Sequence, residues 1–152
     1  MKRNIRREQG FTLIELLTVI GIIGVLAYLG IQSFDVYKSR AAYASAITTL
    51  HNTRNALELR QNDQDNPPGA VALTTQAVQG PIIDPSMSGL LPGMMVPNKT
   101  NLSVSYDPSC VIGACQSDLI EVDPCLGKEH VQWIRFGDGV DVLLEHIAAS
   151  GC

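Results

Sequence analysis

Residues that carry chemistry are scarce in this 152-residue chain. It has three histidines and four cysteines, and no two cysteines stand at the Cys-x-x-Cys spacing of a metal site. Cys110, Cys115, Cys125 and His130 are the nearest approach to a zinc set, and without a close pair they are a poor one. His51 falls in an amphipathic segment, whereas His130 and His146 flank a hairpin with no third ligand beside them, so all three read as surface histidines. No catalytic constellation results; the chain does not read as an enzyme and calls for no cofactor or metal. Basic residues are also few, 11 Lys and Arg against 15 Asp and Glu. Neutralising phosphates needs clustered Lys or Arg. That argues against a nucleic-acid surface while leaving room for a small local patch.

What the chain does have is one long apolar run, Phe11 to Ile31, behind a short basic leader. About 20 apolar residues cross a bilayer as a helix at roughly 1.5 Å per residue. One carboxylate, Glu15, interrupts it. A charge there costs about 2.5–3.5 kcal/mol even on the lenient insertion scale, so it calls for a partner or a role. Lys2, Arg3, Arg6 and Arg7 precede the run, which keeps the N-terminus cytoplasmic by the positive-inside rule and exports the rest. Lys38 and Arg40 soften that bias without reversing it.

Gly10-Phe11-Thr12-Leu13-Ile14-Glu15-Leu16-Leu17, behind the basic leader, resembles the class III signal of type IV pilins and pseudopilins. A secretory signal places its cleavage site after the apolar segment, and a plain anchor needs none. The resemblance covers Lys2 to about Arg60. It implies cleavage between Gly10 and Phe11 by an inner-membrane prepilin peptidase, methylation of the new N-terminal Phe11, and a register-setting role for Glu15 in a helical filament. It further implies an inner-membrane assembly platform as partner, and an extracellular pilus as destination. Many family members carry proline where Gln32 stands here; Gly30 is a candidate substitute as the weak point of the helix. After cleavage, seven basic and 14 acidic residues remain, a net charge of −7. The new amine would lie one turn from Glu15, so the carboxylate of one helix can meet the amine of the next. Gly21 and Gly24 would let helices approach closely.

Beyond Ile31 the pattern becomes amphipathic. Phe34, Tyr37, Ala41, Ala44, Ile47, Leu50 and Leu57 recur at three or four residues, with Arg54 filling one gap. Gln61 to Gly69 ends the helix. The expected organisation is therefore a leader at 1–10, a membrane or filament-core helix at 11–31 and its amphipathic continuation at 32–62. A connecting loop follows at 63–101, with a short helical piece at Val71 to Val78 and apolar residues that seal the domain's own core. The sheet region occupies 102–152. As the resemblance implies, the fold is α+β: a long N-terminal helix packed on a four-stranded antiparallel sheet.

In an exported domain the four cysteines are expected as disulfides, with three connectivities open. The preferred set is a tight Cys110–Cys115 loop and a Cys125–Cys152 clamp, the latter contributing about 3.6 kcal/mol in the loop-entropy model. The clearest hairpin runs from Val131 to Phe136 and from Val140 to Ile147, around Gly137-Asp138-Gly139. A two-residue Asp138-Gly139 turn is preferred, placing Val131, Trp133, Val140, Val142 and Leu144 on one face. A three-residue loop would instead align Ile134, Phe136, Val140, Val142 and Leu144, and set Arg135 opposite Asp141. Asp138 has the chemistry for calcium, but turn formation explains it more simply.

Overall fold

The computed structural model describes residues 10–77, 79–127 and 129–148. Its contacts divide the chain into two units, Met1–Tyr37 and Lys38–Cys152. Helix α1, Leu13–Gln61, belongs to both. In the first unit its apolar side chains are exposed, and no charged residue other than Glu15 stands between Phe11 and Phe34.

The second unit is α1 from Lys38 onward packed on an antiparallel sheet. The sheet has five strands, one more than the sequence suggests. They are β1 (Val71–Gln76), β4 (Thr100–Tyr106), β5 (Gln116–Pro124), β6 (Glu129–Phe136) and β7 (Asp141–Ala148), ordered β1-β4-β5-β6-β7. The added strand is the stretch expected as a helical piece. Val71, Thr74 and Thr75 are β-branched and fit a pleated surface better than a helix, and the segment pairs along β4. The stretch read as a loop also holds a two-stranded pair, β2 (Gly80–Pro81) with β3 (Met95–Val96), and a short helix α2 (Pro85–Leu90). Asp84 caps α2 by accepting from the amides of Ser86 and Met87, with Pro85 at the first helical position. Met87, Leu90, Leu91 and Val96 from this region enter the core, so the segment seals its own domain.

Two cross-strand rows line the inner face of the sheet: Leu102, Val122 and Val131, then Val104, Ile120 and Trp133. All six are buried. Against them α1 buries Ala46, Leu50 and Leu57. The buried line differs from the sequence stripe, because Thr49 and Thr53 are inside it while Ala41 and Ala44 are exposed. Both threonines donate their hydroxyls to carbonyls four residues back, Ser45 O at 2.9 Å and Thr49 O at 2.7 Å. A helix-satisfied hydroxyl leaves only its methyl for packing, so polarity did not mark these positions as surface.

The β6–β7 hairpin takes the three-residue loop rather than the preferred two-residue turn. Arg135 stands opposite Asp141 and Ile134 opposite Val142. Gly139 supplies the left-handed residue (φ 82°) that such loops use, and the Phe136 amide donates to Val140 O at 3.0 Å. Trp133 is buried all the same, since its strand face is fixed by β5. Further along, the register shifts between His130 and Gln132.

Arg54, the gap in the apolar stripe, turns out to be part of a clasp over Trp133. The guanidinium groups of Arg54 and Arg135 each lie 4.9 Å from the indole ring. Arg54 donates to Glu58 (2.9 Å) and Asp141 (2.7 Å). Arg135 donates to the same two carboxylates, at 2.7 and 2.9 Å, and to Gln61 Oε1 at 3.4 Å. The Gln61 amide reaches the buried Asp118 at 2.6 Å, with Ser117 Oγ donating to its second oxygen. Hydrogen bonds from Arg54 and then Arg135 hold the Glu58 carboxyl below its ordinary value of 4.5, against some desolvation. Burial acts first on Asp118 and raises its pKa, opposed by Gln61 and Arg135.

Hydrogen bonds to charged groups contribute about 1.5–3 kcal/mol each, so Arg135→Ala is expected to destabilise the chain by about 2–3 kcal/mol in thermal unfolding in detergent micelles. Because Glu58 has a depressed pKa when folded, its contribution is present above pH 4.5 and is lost as pH falls through the folded value. Glu58→Gln should therefore show a shallower acid loss of stability than the parent in the same melts. Gly137 packs where a Cβ would lie 2.8 Å from the Ile112 nitrogen and 3.1 Å from Cys110 O. Gly137→Ala must then displace backbone, at about 1–3 kcal/mol in the same assay.

Candidate functional site

The charge in the apolar helix is handled locally. Gly10, Phe11 and Thr12 precede α1, and Phe11 is 86% exposed. The backbone amide and the hydroxyl of Thr12 each donate to Glu15 Oε2 at 2.8 Å, while the Glu15 amide approaches Thr12 Oγ1 at 3.3 Å. This is a capping box, in which the first-turn amides and the carboxylate satisfy one another. The Thr-x-x-Glu spacing ahead of an apolar run carries that signal; reading Glu15 only as a membrane charge misses it. Phe11 and Glu15 thus lie within one turn of chain, at the head of a helix long and apolar enough to cross a membrane. Thr18, Gly21, Ile22, Val25 and Leu26 line a shallow apolar trough on that helix, opened by the missing side chain of Gly21. An exposed apolar surface of this extent marks a membrane or protein contact.

The remaining sequence-singled residues lie in the second unit. Cys110 and Cys115 are joined, with Cα atoms 5.8 Å apart. Their loop docks on the hairpin turn, the Gly137 amide donating to Cys115 O at 2.9 Å. Cys125 is also disulfide-bonded; its expected partner Cys152 lies outside the described residues, as do residues 1–9 of the expected leader. His51 is exposed on α1. His130, expected at the surface, is buried, with Nε2 3.4 Å from Glu121 Oε1. The register shift sets His130 opposite Ile147 rather than His146. Among the described residues no three His, Cys, Asp or Glu gather as a metal site. Asp138 Oδ1 accepts from the Val140 amide at 3.1 Å, which is turn chemistry.

Comparison with known proteins bears on the first of these two regions. The family model described as the prokaryotic N-terminal methylation motif matches residues 5–27. Prepilin peptidase-dependent protein D of Escherichia coli (strain K12) is 43% identical over 53 residues, 35% of this chain and 36% of that protein. Type IV major pilin protein PilE1 of Neisseria gonorrhoeae is 34% identical over 77 residues, 48% of this chain and 36% of the relative. Type II secretion system core protein G of Escherichia coli (strain K12) is 32% identical over 79 residues, 52% of this chain and 54% of the relative. The chain spans about a third to a half of the length of these curated relatives. No solved structure gives a significant match. The N-terminal region of this chain thus carries the prokaryotic N-terminal methylation motif and is similar to that of type IV pilins and of a type II secretion core protein.

Proposed function

We propose that this chain is a structural subunit that polymerises through its N-terminal helix into an extracellular type IV pilus. The observation that carries the reading is Glu15: the sole charge between Phe11 and Phe34, held in a capping box one turn from the methylation-motif junction. In this reading residues 1–10 are a leader, cut between Gly10 and Phe11 by a prepilin peptidase that also methylates Phe11. The junction precedes α1 and is exposed, which suits a peptidase that needs extended chain. The precursor waits as a single-pass inner-membrane protein with a cytoplasmic N-terminus. An inner-membrane assembly platform then transfers residues 11–31 from lipid into a bundle of identical helices. Residues 32–62 continue that helix, the Cys110–Cys115 loop and a Cys125–Cys152 clamp brace the exported domain, and adhesion, motility or DNA uptake is the filament's service.

Subunit addition replaces lipid with neighbouring helices around the same apolar surface, so burial alone does not favour one stagger over another. The carboxylate does. The N-terminal amine of a processed neighbour is the one cation the motif creates at the right end of the helix, where Glu15 can accept its hydrogen bond. Glu15→Ala is expected to insert normally and to assemble about tenfold to a hundredfold more weakly, the equivalent of one charged hydrogen bond of about 1.5–3 kcal/mol. Fibre yield from sheared cells against the membrane pool measures it, and parental yield would remove the role. Mass spectrometry of the membrane-extracted chain should find methylated Phe11 at the N-terminus; an intact leader on functional protein would end the filament reading.

A second reading, a pseudopilin of a type II secretion system, is favoured by the core protein G match, which covers a larger share of its relative than the pilin match does. Imaging of fibres purified from the cell surface separates the two. Long surface pili support the first, and secretion defects without pili support the second.

A further inference from the structure

We propose that His146, Glu129 and Tyr43 form a pH-sensitive latch that fastens the C-terminal end of β7 to β6 and to α1. β7 is an edge strand, paired on β6 alone. Its ladder runs regularly from Arg135↔Asp141 to Gln132↔Leu144 and then shifts, so that His130 faces Ile147. The extra residue is accommodated at Glu145–His146, where His146 takes left-handed backbone at φ 58°. Histidine adopts that conformation only occasionally, and the surroundings must hold it there. Two contacts do so. The imidazole stacks on the Tyr43 ring of α1, with centroids 4.8 Å apart and planes 15° apart, and its Nδ1 meets Glu129 Oε2 of β6. Without the bulge the regular register would set His146 opposite His130.

The ring therefore links three elements, and its charge decides how strongly. The charged and titratable groups facing it are Glu129 from β6, Glu145 beside it on β7 and Tyr43 from α1. The hydrogen bond to Glu129 is the main cause that raises its pKa above the ordinary 6.5, with both carboxylates adding to it. Burial first, and then Glu145, holds the Tyr43 hydroxyl above 10.0, so near neutral pH the phenol stays uncharged and the imidazole is what changes. A raised histidine pKa contributes stability that is fully present below 6.5 and is lost as pH rises through the folded value. As an imidazolium it pairs with Glu129 and lies over an aromatic face. As a neutral ring it keeps the stack and loses the charge pairing, while the left-handed backbone remains. The latch closes in mild acid and loosens above neutrality, freeing the strand end locally rather than unfolding the sheet.

Amide hydrogen exchange of the full chain in detergent micelles, corrected for the intrinsic pH dependence of exchange, reads this directly. Between pH 6 and pH 8.5, protection in the Glu129↔Ala148 and His130↔Ile147 pairs should fall about threefold or more, with protection along β4 and β5 unchanged. His146→Asn accepts left-handed backbone and does not titrate, so its local protection should be flat over that range. In Glu129→Gln, NMR titration should move His146 back toward 6.5. Flat protection in the parent, a uniform loss across the whole sheet, persistence of the local loss in His146→Asn, or an unmoved His146 titration in Glu129→Gln would each overturn the latch. The His146→Asn arm also separates it from His130, which pairs with Glu121 instead.

Discussion

An apolar helix surface as long as that from Phe11 to Ile31 has to be covered by something other than water. Each large aliphatic side chain left in water forgoes about 1.5–3 kcal/mol, and the run carries one at most positions. The sum exceeds the net stability of an ordinary domain. Lipid and neighbouring helices are the two covers that suit a cylinder apolar all round, and they are interchangeable as far as hydrophobicity goes. Selection between them must therefore come from polar groups and close packing, of which the segment has few: Glu15, its Thr12 cap, and the trough at Gly21. The capping box lowers the cost of keeping the carboxylate out of water, since two donors are already aimed at one oxygen.

The other unit solves a different problem with the same helix. From Lys38 onward α1 has a sheet to lie on, and small residues bring it close: Ala46, Thr49 and Thr53 are buried alongside the larger Leu50 and Leu57. Where the core meets solvent it ends in charge rather than in more hydrocarbon. Trp133 is too large to be sealed by aliphatic neighbours alone, and two guanidinium planes cover it while keeping their hydrogens on Glu58, Asp141 and Gln61. Burying the stacking faces while the donors stay bonded is what arginine does well and lysine does not. Asp118 is the group in this network for which burial outweighs its partners, and Gln61, Ser117 and the nearby Arg135 offset only part of its desolvation.

Much of this was legible from the residues, and the misreadings share a cause. The long helix and its apolar head followed from period and length, the tight Cys110–Cys115 loop from spacing and expected export, and the packing of helix on antiparallel sheet from the family resemblance. What was misread depended on partners distant in sequence. Val71 to Gln76 became a strand because β4 offered an edge to pair with. Thr49 and Thr53 became core because their hydroxyls turn back on the helix. Arg54 passed for a gap because its partner Asp141 lies 87 residues away. The hairpin register turned on a margin of one residue. The Arg135–Asp141 pair and the left-handed Gly139 both favour the longer loop, and neither conflicts with burying Trp133. His130 was read as exposed from its place near a strand end, yet β5 supplies Glu121 beside it.

The two ends of the β6–β7 hairpin are held by different kinds of force. At the turn, beside the Arg135–Asp141 pair, the closures include a disulfide loop, a glycine with no room for a methyl, and a backbone hydrogen bond from Gly137 to Cys115. None of these changes with proton concentration between mild acid and neutrality. At the far end a bulged edge strand depends on an exposed ion pair and one stacked ring. Exposed ion pairs contribute little on average, so that end stands close to the balance between fastened and free. A strand fixed at one end and finely balanced at the other opens in one direction. Between mild acid and neutrality the part of the hairpin left to respond is therefore the end of β7, whereas the Glu58 clasp beside the turn responds only in stronger acid.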